Sequence, residues 1–168
     1  MVTVSQPPRS PVTLRPGPAD LGLVDGLAQL TFVVQGALGR VAAAHEISVV
    51  QARLLGILRE RRPSIKDLAS FLQLDKSSVT GLVDRAQDRG LVQRTPSASD
   101  GRSVHVAITA RGRELIDRVA AAFERQVADL VIDLTPAQQR RLSVSATAIV
   151  AADAQRRGID IFEIDPAL

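Results

Sequence analysis

The sequence predicts a mainly α-helical fold carrying one small β-hairpin, and three observations lead there. Apolar residues recur at helical spacing through most of the chain beyond residue 20. Between Ser64 and Gly112, two short amphipathic helices with their own start signals precede a strand, a polar loop and a second strand. Long helical runs flank that centre on both sides. Helix, turn, helix and hairpin in this order describe a winged helix-turn-helix, a module that lays one helix in the major groove of duplex DNA with a hairpin beside it.

Composition narrows the classes. At 168 residues the chain suits one domain, or two small ones sharing a core, and a 45% hydrophobic fraction supports an ordered core. The chain has no Cys, which excludes disulfides, thiolate metal sites and thiol-based redox sensing. It shows no signal-peptide pattern and no run of about 18 uninterrupted apolar residues, so a cytoplasmic protein without membrane contact is expected. Two distant His residues and no acid pair of recognisable spacing offer nothing for catalysis. No enzyme, no metal and no cofactor are expected. Charge is unevenly placed: from Arg59 to Arg113 there are 11 basic and 6 acidic residues, a net +5 against +3 for the whole chain. A basic centre between near-neutral flanks fits a polyanion.

Residues 1–19 hold five of the nine prolines and read as a disordered tail. From Asp20 to about Ala44 the apolar spacing of Leu21, Val24, Leu27, Ala28, Phe32, Val34, Leu38 and Val41 predicts one long helix. Its four glycines lower its intrinsic propensity, so it should need close packing partners. Ser48 and Gln51 form a capping box that opens a helix burying Val50, Leu54, Leu55 and Leu58. That helix should stop near Arg62, ahead of Pro63. Ser64 and Asp67 repeat the box in its Asp form, and Ile65, Leu68, Ala69 and Leu72 fall on one face.

Leu74 is expected to make the turn. Asp75 caps the next helix, which buries Val79, Leu82, Val83 and Ala86 and ends at Gly90. Leu91–Arg94 starts the hairpin, and Val104, Val106 and Ile108 alternate in its return strand, where His105 is expected to be structural. Thr109 caps a long helix carrying Leu115, Ile116, Val119, Phe123, Val127 and Leu130. Thr135, Pro136 and Gln138 open a last helix that runs towards Arg157 and stops at Gly158. A short apolar tail follows.

The helix opened by Asp75 presents Lys76, Ser77, Ser78, Thr80, Gly81, Asp84 and Arg85 in front of its apolar back. Small hydroxyls at a helix N-terminus suit phosphate oxygens and base edges, and Gly81 permits close approach. In the hairpin, Arg102 stands beyond a Ser-Asp-Gly turn, placed to enter a minor groove. Asp100 is expected to orient it. Arg94 and Ser103 complete the expected DNA contacts, Arg94 towards phosphate.

These residues resemble the MarR family of transcriptional regulators. The matching pieces are Asp75-Lys-Ser-Ser-Val-Thr-Gly-Leu-Val-Asp-Arg85, Arg89-Gly-Leu-Val92, Asp100-Gly-Arg102 and Ile108-Thr-Ala-Arg-Gly112. The similarity spans about residues 20 to 155. Gly81 stands where many members carry a longer side chain, and Ala86 where Leu is usual. The resemblance implies a homodimer built from residues 20–47 and 113–168, flanking a DNA-binding lobe at 48–112. Two recognition helices would then address palindromic half-sites about one DNA turn apart. It further implies a repressor relieved by a small organic anion bound between the dimer helices and the lobe, with Phe32, Gln35, Arg40, His45 and Arg53 as candidate contacts. With no Trp or Tyr, an aliphatic pocket with one Arg is expected there. The reading weighed against this one is a winged-helix protein-interaction module that has lost DNA binding.

Overall fold

The computed structural model describes residues 20–96 and 104–160. Six helices and one hairpin follow in the order α1 (Gly22–Ala44), α2 (Val49–Leu58), α3 (Ile65–Leu72), α4 (Lys76–Asp88), β1 (Val92–Pro96), β2 (Val104–Ile108), α5 (Ala110–Leu130) and α6 (Pro136–Arg156). The chain divides into two units, one ending at Val34 and one beginning at Gln35. The first contributes the opening turns of α1, where Leu23, Val24 and Phe32 are exposed. The second holds the core and the remaining elements. The expected tail at 1–19 and the apolar residues Ile161, Phe162 and Ile164 lie outside the described residues.

Every expected start signal forms. Ser48, Ser64 and Thr135 each accept from the backbone N–H three residues on, and Gln51, Asp67 and Gln138 reach back to the cap N–H. Thr109 caps α5 by accepting from Gly112 N–H. Gly90 and Gly158, at φ 67° and 66°, end α4 and α6 in the left-handed region that glycine enters without penalty.

Two boundaries move. The helix expected to run to Arg62 ends at Leu58, with Arg59 as its cap and Arg61–Pro63 outside any helix. The segment that follows runs strand-like, with Val106 N–H donating to the Pro63 carbonyl at 2.9 Å and Ser64 bridging His105. Residues 63–64 thus extend the hairpin by one short edge, which the sequence reading did not foresee. The turn of the helix-turn-helix is carried by Gln73, at φ 57°, ahead of Leu74. Leu74 N–H then donates to the Ala69 carbonyl at 3.1 Å, satisfying an acceptor the end of α3 leaves open.

β1 and β2 pair antiparallel, from Val92 opposite Ile108 to Pro96 opposite Val104. The core gathers Leu54, Leu55 and Leu58 of α2, Leu68 and Leu72 of α3, Val79, Leu82, Val83 and Ala86 of α4, Val92 and Val106 of the hairpin and Leu115, Ile116 and Val119 of α5. Val41 and Ala42 close it from the end of α1. Of the alternating β2 residues, Val106 is fully buried, Ile108 half-buried and Val104 exposed. The helix-turn-helix is therefore held by its own core, with α5 leading out of it.

Candidate nucleic-acid interface

Helix α4 is built on its cap. Asp75 lies in extended backbone and its Oδ1 accepts from Ser78 N–H at 2.9 Å. The hydroxyls of Ser77 and Ser78 also donate to this carboxylate, Ser78 at 2.7 Å. Thr80 Oγ1 donates to the Lys76 carbonyl at 2.8 Å. With Val79, Leu82, Val83 and Ala86 buried behind, α4 turns Lys76, Ser77, Ser78, Asp84 and Arg85 outward, while Thr80 and Gly81 are half-buried. The front expected from the sequence is thus present, with one addition. The two serine hydroxyls are engaged as donors within the cap and offer their lone pairs outward.

The Asp75 carboxyl is held well below the usual carboxylate range, first by the Ser77 hydroxyl and then by the backbone N–H and hydroxyl of Ser78. A carboxyl whose folded pKa lies below its unfolded value stabilises the fold above that unfolded value, about 3.9. The contribution is lost as the pH falls towards the folded value. The cap is therefore complete at neutral pH, and Asp75→Asn, which caps without titrating, should behave differently only in acid. Protection of the Ser78 amide in hydrogen exchange should fall below about pH 4 in the parent and stay level in the variant.

Gly81 has a specific neighbour. A Cβ built there would lie 3.3 Å from Arg85 Nη1, the far end of a flexible side chain. The guanidinium of Arg85 thus folds back across the glycine. Gly81→Ala should raise stability by about 0.5–1 kcal/mol through helix propensity, read as an increased urea midpoint, while moving Arg85 off the helix surface.

Arg94 does not extend freely from the hairpin. Its Nη2 lies 2.6 Å from Asp84 Oδ1 and its Nη1 donates to Gln87 Oε1 at 2.8 Å. Asp100, Arg102 and Ser103 lie outside the described residues. His105 is half-buried in β2, where it bridges Ser64.

Of the five candidate effector contacts, four lie in the second unit. Phe32 is exposed in the first unit. In the second, Gln35 is exposed, Arg40 Nη2 reaches Gln126 Oε1 at 3.4 Å and His45 Nδ1 lies 2.9 Å from the Val41 carbonyl. Arg53 alone among them lines a cavity of about 280 Å³ formed with Leu38, Ala52, Ile116, Val119, Ala120 and Phe123, with Arg59 and Glu60 beside it. The apolar lining was invisible as a site in the sequence, because Ile116 and Val119 follow the same helical spacing as core residues. Arg59 is already engaged, 3.6 Å from Asp117.

The comparisons with known proteins agree with this architecture. Residues 45–103 match the model of the MarR family. The HTH-type transcriptional regulator PecS of Dickeya dadantii is 24% identical over 124 residues, covering 71% of this chain and 75% of the relative. The HTH-type transcriptional repressor IacR of Pseudomonas putida is 32% identical over 105 residues, covering 62% of this chain and 63% of the relative. Among solved structures, that of NadR in complex with 4-hydroxyphenylacetate matches with a TM-score of 0.68 at 21% identity, covering 89% of this chain and 98% of that one. At that identity the likeness is one of fold. These matches are transcription regulators and not enzymes, and the segment matched by the family model holds α4 and its cap. The chain is similar to the MarR family of winged helix-turn-helix transcriptional regulators, whose model matches its residues 45–103.

Proposed function

We propose that this regulator binds a palindromic duplex operator as a homodimer, represses from it, and is released by a small organic anion. The observation that carries the DNA reading is α4 itself. A buried apolar back and an exposed front of Lys76, Ser77, Ser78 and Arg85 are joined to a cap that leaves serine lone pairs facing out. Such oxygens accept from the amino groups of adenine or cytosine in the major groove. Lys76 and Arg85 supply charge for phosphate, and Arg102, beyond Asp100 in the hairpin loop and followed by Ser103, would reach the minor groove.

The homodimer is supported by helices that one chain leaves bare. Along the 21 residues of α6 only Ala154 is buried, while Leu142, Val144, Ile149 and Val150 are exposed. Leu21, just ahead of α1, and Leu23, Val24 and Phe32 in its opening turns are exposed. This helix is also long and apolar enough to cross a membrane, with a mean hydropathy of 1.3. The family and the matching bareness of α6 favour cover by a second copy and a cytoplasmic regulator. The anion is supported by the cavity beside Arg53, a guanidinium at the edge of an apolar lining, and by NadR, whose structure holds 4-hydroxyphenylacetate.

The experiment is a fluorescence-anisotropy titration of the parent and Arg102→Ala against duplexes recovered by selection from random sequence. The variant should lose about 1–3 kcal/mol of specific affinity with its dimer intact. Equal affinities would remove the hairpin loop from the reading. A parent with no preference among duplexes would favour the protein-interaction module instead.

A further inference from the structure

We infer that Arg94 is a positioning residue for operator recognition: it fixes the recognition helix against the hairpin and does not contact phosphate. The inference rests on the proposed DNA reading and concerns how its specificity is held.

The geometry places Arg94 between two elements. In β1 it pairs with Val106, which is fully buried and tied through its own N–H to the Pro63 carbonyl. Its backbone is therefore anchored to the core of the lobe. Its guanidinium then spans two residues of α4 that are three positions apart on one helix face, Asp84 at 2.6 Å and Gln87 at 2.8 Å. The planar fork of arginine suits two acceptors at once, and a lysine ammonium on one stem does not reproduce it. Among the described residues this is the one ion pair joining α4 to the hairpin. The pairing also cancels the charge a phosphate contact would use.

The position of the strut explains why it bears on reading. It grips the C-terminal half of α4, while the cap at Asp75 and the hydroxyls of Ser77 and Ser78 stand at the opposite end. The 13 residues of α4 form a lever about 20 Å long. A small rotation at Asp84 becomes a larger displacement at Ser77. The apolar contacts behind α4 have no fixed direction. Bonds from Arg89 Nη1 to the Glu46 carbonyl and from Thr109 Oγ1 to the Gly90 carbonyl hold the residues that follow the helix. The guanidinium fork adds a directional restraint on its outer face.

Charge alone and the strut predict opposite signs for Asp84. Removing an acid from a DNA-facing helix should tighten binding to any duplex if only charge matters. If Asp84 is the seat of the strut, its loss weakens specific binding instead.

The test uses the full chain and its Asp84→Ala, Arg94→Ala, Arg94→Lys and Asp84→Ala/Arg94→Ala variants. Each is titrated by anisotropy against the selected operator and a scrambled duplex over a salt series. Each single variant should lose about tenfold in operator affinity, keep its affinity for the scrambled duplex within about twofold, and keep the parent's salt slope. The double variant should be no weaker than the single ones. Arg94→Lys should behave as Arg94→Ala, with circular dichroism and melting confirming that all five chains are folded.

The inference is overturned if Arg94→Ala lowers the salt slope by about one and weakens both duplexes alike, or if Arg94→Lys binds as the parent does. Tighter binding of Asp84→Ala to both duplexes would also overturn it. A parent that fails to distinguish the two duplexes is a separate result: it removes the DNA reading, and the inference with it.

Discussion

Gly112→Ala is expected to destabilise the chain by about 3 kcal/mol, at the upper end of what overpacking usually causes. Gly112 lies in the first turn of α5 and is buried where four elements meet. Its N–H donates to Thr109 Oγ1 at 3.0 Å, and that hydroxyl donates to the Gly90 carbonyl at 2.7 Å. Thr109 N–H donates to the Leu91 carbonyl at 3.1 Å. The end of α4, the start of β1, the end of β2 and the start of α5 are thus locked through one threonine.

A Cβ on residue 112 would overlap the Leu91 carbonyl oxygen and approach Ile108 Cγ1 to 2.8 Å. The oxygen is backbone and is held by Thr109, so it cannot yield without opening the junction. Gly90→Ala is the control. Its Cβ would meet nothing within 4 Å, and the penalty comes only from a φ of 67°, about 1 kcal/mol. Urea unfolding of both variants should show a much lower midpoint for Gly112→Ala at an unchanged slope. Equal midpoints would mean that the junction relaxes freely.

This junction shows what the sequence could and could not tell. Ile108-Thr-Ala-Arg-Gly112 stood out as a motif, and Thr109 was legible as a cap because a hydroxyl before a helical run has one ordinary use. Why residue 112 must be glycine was not legible, since the obstructing oxygen belongs to Leu91, 21 positions earlier. The same division runs through the molecule. Capping boxes at Ser48, Ser64 and Thr135 depend on residues three apart, and all form. The engagement of Arg94 with Asp84 and Gln87 depends on how a strand lies against a helix, which no local spacing displays.

The left-handed Gln73 and the edge formed by Pro63 and Ser64 are likewise products of tertiary packing. A cavity is defined by residues from α1, α2 and α5 together, and only Arg53 of the five candidates lies on it.

The second large effect concerns assembly. Leu142→Glu with Ile149→Glu should convert the protein to monomers at micromolar concentration and lower operator affinity at least about 100-fold. The two positions are seven residues apart and share one face of α6. Both are exposed in the single chain, at 39% and 53%, so the glutamates disturb no packing within it and the lobe should melt as in the parent. In a dimer covered along this face they would place unpaired carboxylates in an apolar interface, which carries a large desolvation penalty.

The DNA consequence follows from linkage. Once one recognition helix of a dimer is bound, the second meets its half-site at an effective concentration that raises affinity by about 10²–10⁴ over one lobe alone. A monomer forfeits that factor while keeping every contact of α4. Sedimentation and anisotropy on one preparation therefore separate the two roles. Monomers with weakened operator binding and an intact lobe place α6 in the interface. An unchanged dimer would assign the cover of Leu142 and Ile149 elsewhere, and dimerisation would rest on the opening turns of α1, where Leu23 and Val24 are the next positions to charge.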